Sequence, residues 1–225
     1  MERHFDEELK DLNARILKMG AMTEEAITGS VRALMEQNRD LALKLISADK
    51  QIDMMELEIE EHCLAMLAIH QPVAIDLRFI TTALKLNNEL ERIADLAVDI
   101  AQRVLEIADK PLLKPLVDIP KLCAIAQSML KDAIDAFVNR DIELAKKVVL
   151  RDSEADKLRN LVQQELIYDF MVKDGSTAPR AVPLLLIARH LERICDHTTN
   201  IAEDVIYMVE AKVVKHHPEK LQNGT

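Results

Sequence analysis

The sequence predicts an all-α protein built by internal duplication from a unit of about three helices. Three observations predict it. The composition favours helix: 225 residues contain 4 Gly, 7 Pro, no Trp, 2 Tyr and 4 Phe, so the turn and aromatic residues that sheets use are scarce. Apolar residues recur at spacings of three and four, and no stretch of useful length alternates with period two. Finally, LERIADLAVDIA at 90–101 aligns with LERICDHTTNIA at 191–202, an offset of 101 residues, the mark of a repeated supersecondary unit.

The elements follow in order. Leu9, Leu12, Ile16 and Met19 mark the core face of a first helix, and the sequence QNRD at 37–40 breaks it. Met54, Leu57, Cys63 and Leu64 are read as the apolar face of a second helix. HQP at 70–72 ends that helix. Pro72 is expected as the first residue of the third, where a missing N–H costs nothing. DLRFI at 76–80 opens the third helix, and Ile93, Ala97, Ile100 and Val104 form its seam. The stretch ADKPLLKPLVDIP at 108–120 carries three prolines and reads as a linker, which places the units at 1–110 and 111–225. In the second unit NRD recurs at 139–141, again at an offset of 101. DKQID at 49–53 matches DSEAD at 152–156 in both aspartates after a shift of two. KDGSTAPRAVP at 173–183 reads as the loop before the last helix.

Composition also bounds function. A formal net charge of −10 repels nucleic-acid phosphate and anionic membrane surfaces, so cations and basic protein patches are the expected partners. Cys63, Cys123 and Cys195 form no C-x-x-C pair and read as reduced, buried thiols of a cytosolic protein. The charged start MERHFDEELK does not read as a signal peptide. The longest apolar run, AVPLLLIA at 181–188, is too short to span a bilayer. Met19, Met22, Met54, Met55, Met66 and Met129 are expected to fill gaps in the core.

The repeated helix carries an acidic stripe. One helical residue advances about 100°, so a step of four turns only about 40° round the axis. Glu91, Asp95 and Asp99 therefore share one face, opposite Ile93, Ala97, Ile100 and Val104. Glu192, Asp196 and Asn200 do the same opposite Ile194, Thr198, Ile201 and Val205, with Asp204 one turn further on. An ordinary solvated face shows this pattern. Like charges four apart cost roughly 0.2–0.5 kcal/mol per pair, so repulsion does not decide the matter. The other reading is a cation site. Carboxylates without sulfur suit hard, oxygen-preferring ions such as Mg²⁺, Ca²⁺, Mn²⁺ or iron, and His197 beside Asp196 could join them.

Several chemistries lack their residues. A di-iron bundle enzyme needs inward-facing Glu and Glu-x-x-His pairs, and none of the 7 His has Glu three residues before it. Glu58 and His62 stand four apart as a lone pair. Four glycines build no phosphate-cradling loop, and no G-x-S-x-G occurs. Cys195, Asp196 and His197 are adjacent and point in different directions on a helix.

The repeated ERIADLAVDIA and ERICDHTTNIAED, the DLRFI at 76–80 and the NRD with its following D-x-x-x-D resemble the PhoU family of bacterial phosphate-uptake regulators over roughly residues 5–215. The resemblance implies two pseudo-symmetric three-helix bundles and no catalytic activity. It implies a cytosolic negative regulator of the phosphate-starvation response, linking the ATPase of the phosphate ABC transporter to a membrane sensor histidine kinase. A homodimer is one assembly it admits; nucleic acid and direct membrane insertion are not expected. It also implies metal binding by the E/D-x-x-x-D motifs, with iron, manganese, magnesium and zinc all admitted. Carried onto this chain, the ligands are Glu91, Asp95, Asp99, Glu192, Asp196, Asn200 and Asp204, with Asn200 the poorer ligand where the first motif has Asp99. The competing readings are a metal-dependent carboxylate bundle enzyme and a helical interaction module unrelated to phosphate.

Overall fold

The computed structural model describes residues 2–213. The first unit contains α1 (Glu2–Met35), α2 (Arg39–Ala48), α3 (Lys50–His70) and α4 (Ala74–Ile107), with α2 and α3 meeting at Asp49 as one bent second helix. The second unit contains α5 (Asp118–Asn139), α6 (Ile142–Gln164) and α7 (Ala178–Glu210). No strand occurs among the described residues. The sequence's all-helical expectation is borne out.

The long helices form because their apolar positions recur on one side. Leu12, Ile16 and Met19 on α1 and Ile93, Ala97, Ile100 and Val104 on α4 are buried as expected. Fully burying a side chain of this size contributes about 1.5–3 kcal/mol. On α3 the expected face is only partly right. Cys63 is buried, but Met54, Leu57 and Leu64 are exposed, and the inner face is Ile52, Met55, Ile59, Cys63 and Met66. The helix is apolar on both sides, so periodicity alone chose between two stripes and took the wrong one. Met54, at 63% exposed, is therefore not a core filler.

The turns repeat more faithfully than the letters. Gln37 and Arg140 both adopt the left-handed conformation, at φ 50 and 55. The N–H of Asn38 bonds the carbonyl of Ala33, and that of Asp141 bonds that of Ala136, at 2.8 and 2.9 Å. This is a helix-ending Schellman turn, made twice. The Asn38 side chain then accepts from Leu41 N–H, and that of Asp141 from Leu144 N–H, both at 3.0 Å, capping α2 and α6. The equivalent residues stand 103 apart. The two NRD triplets at an offset of 101 are thus a coincidence of letters, and the D-x-x-x-D pairs at 49–53 and 152–156 follow the true register without any shift.

Two proline expectations need correction. Pro72 lies in the turn, and α4 begins at Ala74, whose φ is 50. The stretch 173–183 is only half loop. α6 runs on as a π-helical segment (Glu165–Met171), a single 3₁₀ turn (Gly175–Thr177) follows, and α7 starts at Ala178 with Pro183 inside it. Pro183 cannot donate to the carbonyl of Pro179, but Lys110 Nζ reaches that carbonyl from the linker at 3.4 Å.

The units pack through α4 against α7 and α1 against α5. Gly20 lies in the second contact, where a Cβ would collide with the Ile134 side chain. Phe79 of α4 stacks on Phe137 of α5, centroids 4.9 Å apart. The three cysteines are free and buried, and burial pushes the Cys63 thiol up to about 12 and that of Cys123 up to about 11. No described helix is long and apolar enough to cross a membrane.

Candidate functional site

Each unit brings its second and third helices together through carboxylates. In the first unit Asp49, Asp53 and Glu56 come from α2–α3, and Glu91 and Asp95 from α4. Asp49 is pushed up to about 6 by burial, then by Asp53 and Asp95. Burial also raises Glu91, with Asp95, Glu56 and Asp53 adding to it, while Arg92 opposes. Glu56 is raised by burial, Glu60 and Asp53. Groups that perturb one another in this way share one electrostatic site. The stripe on α4 is half covered: the Glu91 side chain is 25% exposed, and those of Asp95 and Asp99 are 48% and 46% exposed.

The second unit repeats the arrangement. Asp152 and Asp156 of α6 face Glu192 and Asp196 of α7. Burial raises Asp152, with Asp156 and Glu192 adding to it and a hydrogen bond from Thr199 opposing. Asp196 is pushed up to about 6 by burial, then by Glu192, Asp152 and Asp156, with His197 opposing. The units differ in their arginines. Arg92 lies 3.5 Å from Glu91 and 3.9 Å from Asp95 on the same helix. In the second unit Arg159 crosses from α6 to hold Glu192 at 2.7 Å.

The other stripe residues point elsewhere. Asp99, Asn200 and Asp204 belong to a polar seam between α4 and α7. Asn200 Nδ2 lies 3.4 Å from Glu89 Oε1, and His197 Nδ1 lies 2.6 Å from Glu89 Oε2. Asp99 Oδ2 lies 3.8 Å from His190 Nδ1. The contacts 89–200 and 190–99 exchange under the offset of 101, so they are one contact made twice by the pseudo-twofold. Asp204 is buried and accepts from Lys85 Nζ at 3.0 Å, and Arg78 Nε donates to the Met208 carbonyl at 2.9 Å. Burial lowers His190, which Asp99 opposes and Arg193, Arg103 and Arg189 reinforce.

The seven expected ligands thus divide. Glu91 and Asp95 join one cluster, Glu192 and Asp196 the other, and Asp99, Asn200 and Asp204 serve the seam. Sequence reasoning missed Asp49, Asp53, Asp152 and Asp156 as site residues, although their D-x-x-x-D spacing was visible and served only to mark the repeat. The donor set in each cluster is all oxygen and fits a hard cation. Among the described residues, however, no group of three or more His, Cys, Asp or Glu side chains stands close enough to hold an ion as placed. The residues fit the ion in kind, and rotamer changes would have to complete the fit.

A family model described as the PhoU domain matches twice, over residues 16–104 and 119–205. The starts of the two matches stand 103 apart and the ends 101 apart, the same registers that the turns and the third helices show. The chain belongs to the PhoU family. A phosphate-specific transport system accessory protein PhoU homolog of Aquifex aeolicus is 39% identical over 209 residues, covering 93% of this chain and 94% of its own. A PhoU homolog 2 of Thermotoga maritima is 34% identical over 98% of this chain and 94% of its own. The crystal structure of PhoU from Pseudomonas aeruginosa matches with a TM-score of 0.88 and 34% identity, covering 92% of this chain and all of that one. The PhoU duplication explains why both carboxylate clusters exist.

Proposed function

We propose that this PhoU-family chain is a cytosolic, non-enzymatic regulator of phosphate-specific transport that keeps the phosphate-starvation response off when phosphate is plentiful. One observation carries the reading: both PhoU domains are present and occupy most of the chain, and relatives aligned over 93% and 98% of it bear the name of accessory proteins of that transport system. In this role the chain is an adaptor between the transporter's ATPase and a sensor histidine kinase. Two similar bundles joined along α4 and α7 offer two related but unlike faces, which suits a protein that must touch two partners.

The carboxylate clusters are proposed as cation sites within that role. Asp49, Asp53, Glu91 and Asp95 would hold an ion in the first unit, and Asp152, Asp156, Glu192 and Asp196 one in the second. An ion such as Mn²⁺, Fe²⁺, Mg²⁺ or Zn²⁺ would supply positive charge to carboxylates that come from both helices of each pair. Carboxylates that already raise one another's affinity for protons are relieved by a cation in the same way. In the second unit Arg159 would have to leave Glu192 for the ion to enter.

The adaptor role is tested by affinity purification of the tagged full chain from phosphate-grown cells of its host. The transporter ATPase and a histidine kinase should copurify from detergent-solubilised membranes. Recovery of neither, with the bait folded and abundant, would remove the adaptor reading.

A further inference from the structure

The duplication allows one groove to be compared with its own counterpart. Between α6 and α7 lies a cavity of about 620 Å³, within the range of about 300–1,000 Å³ that small-ligand sites occupy. Its floor is apolar, formed by Ile167, Leu185 and Leu186. Three arginines line it: Arg159 from α6, and Arg189 and Arg193 one turn apart on α7. Arg189 and Arg193 are exposed, and no described side chain pairs with either. Arg159 is engaged through its terminal nitrogens with Glu192, Asp156 and Asn160, and its Nε is buried without a hydrogen-bond partner among the described residues.

The equivalent groove of the first unit has the opposite character. By the registers given above, Glu56 stands where the second unit has Arg159, Glu60 where it has Gln163, and Asn88 where it has Arg189. Arg92 is the counterpart of Arg193, but it is turned onto Glu91 and Asp95. One groove therefore sets three arginines, of which Arg159 is already paired, against Glu192 and Asp196, while its twin sets four carboxylates (Glu56, Glu60, Glu91, Asp95) against Arg92 alone, Lys85 being turned onto Asp204 in the α4–α7 seam. In a chain with a net charge of −10, this local excess of guanidinium runs against the average and is confined to one half of a duplication.

Guanidinium offers paired donors that match the oxygens of a phosphoryl group. An inorganic phosphate would fill a small part of the cavity and leave Leu185, Leu186 and Ile167 uncovered. We propose that the α6–α7 groove binds a small phosphorylated anion with an apolar body, of the nucleoside diphosphate class, and that the α3–α4 groove does not. Arg189 and Arg193 take the phosphoryl oxygens, and the base lies on the apolar floor. The inference does not draw on the role in phosphate transport and stands or falls separately from it.

Titration calorimetry on the full chain in EDTA tests it, so that a metal-bridged phosphate is not read as an arginine site. The probes are ADP, adenosine, inorganic phosphate and an amphipathic Glu/Leu peptide. ADP should bind saturably, adenosine and the peptide should not, and inorganic phosphate should bind more weakly than ADP. The double variant Arg189→Ala/Arg193→Ala should weaken ADP by about tenfold or more, since a hydrogen bond to a charged group is worth that much. Arg92→Ala, the first-unit control, should leave it unchanged. All these side chains are exposed, and circular dichroism checks that each variant folds. No saturable ADP binding to the wild type would overturn the proposal, as would an equal loss in Arg92→Ala. Inorganic phosphate binding as tightly as ADP would overturn the nucleoside class. Binding of the acidic peptide alone would make the groove a protein-docking face instead.

Discussion

Asp49 shows how a single residue reports on the whole site. It ends α2 and begins α3, yet its side chain makes no cap hydrogen bond. Its placement instead presses it toward Asp53 and Asp95, and its folded pKa is pushed up to about 6 from 3.8. The sign follows directly. An acid with a raised folded pKa favours the folded state while protonated, so its stabilising contribution is complete below about pH 4 and is lost as pH rises through about 6. Asp49→Asn keeps the neutral form at every pH. It should therefore leave stability unchanged near pH 4 and raise it by roughly 1 kcal/mol at pH 7, the value discounted because water screens a half-buried group. Denaturant unfolding at the two pH values checks this. Mn²⁺ should reverse the sign, because an ion that binds only the folded form adds RT ln(1 + [L]/Kd), about 2.7 kcal/mol at a hundredfold excess over Kd. The wild type should then gain more than Asp49→Asn. Equal melting temperatures with and without metal in both proteins would leave the clusters as strained acidic clefts only.

The turns that start the second helix of each unit carry the strongest evidence of duplication at the scale of the element. Asn38→Ala and Asp141→Ala each remove one cap, and each should cost about 1 kcal/mol in denaturant unfolding. Unequal costs, or none, would mean that the Schellman turn before each cap holds the helix start unaided. These turns also show what the sequence could convey. Helix content, the long third helices and their inner seams were legible, because Ile93, Ala97, Ile100 and Val104 have a polar face opposite them. The face of α3 was not, because Met54, Leu57 and Leu64 are as apolar as the residues inside. The start of α7 was obscured by Pro179 and Pro183, whose lost donor is offset by a lysine some seventy residues away in the chain. At the site, Glu91, Asp95, Glu192 and Asp196 were legible from their own spacing. Asp49, Asp53, Asp152 and Asp156 were not, because facing carboxylates come from different helices and their meeting is a matter of packing. The same reason hid the duty of Asp99, Asn200 and Asp204 in the α4–α7 seam.

Across the whole molecule, that seam fixes how the two units sit. Glu89 is its hub, lying against both His197 and Asn200. Glu89→Gln keeps the shape but removes the charge, and should destabilise the chain by about 1–2 kcal/mol, the difference between a hydrogen bond to a charged group, about 1.5–3 kcal/mol, and a neutral one, about 0.5–1.5 kcal/mol. The loss should appear in global unfolding as one cooperative transition. Two separate transitions would show that the units fold independently and that the seam merely joins them. A fixed pair of unlike faces is what the adaptor reading requires, and the carboxylate clusters and the seam share the same long helices, α4 and α7. The regulatory role is the central claim, and the most direct measurement is expression of phosphate-starvation genes in the host grown on abundant phosphate, with the gene for this chain deleted. Expression should rise on deletion and fall again when the wild-type chain is restored from a plasmid. Unchanged expression in the deletion strain, in a host with no second PhoU protein, would contradict the account.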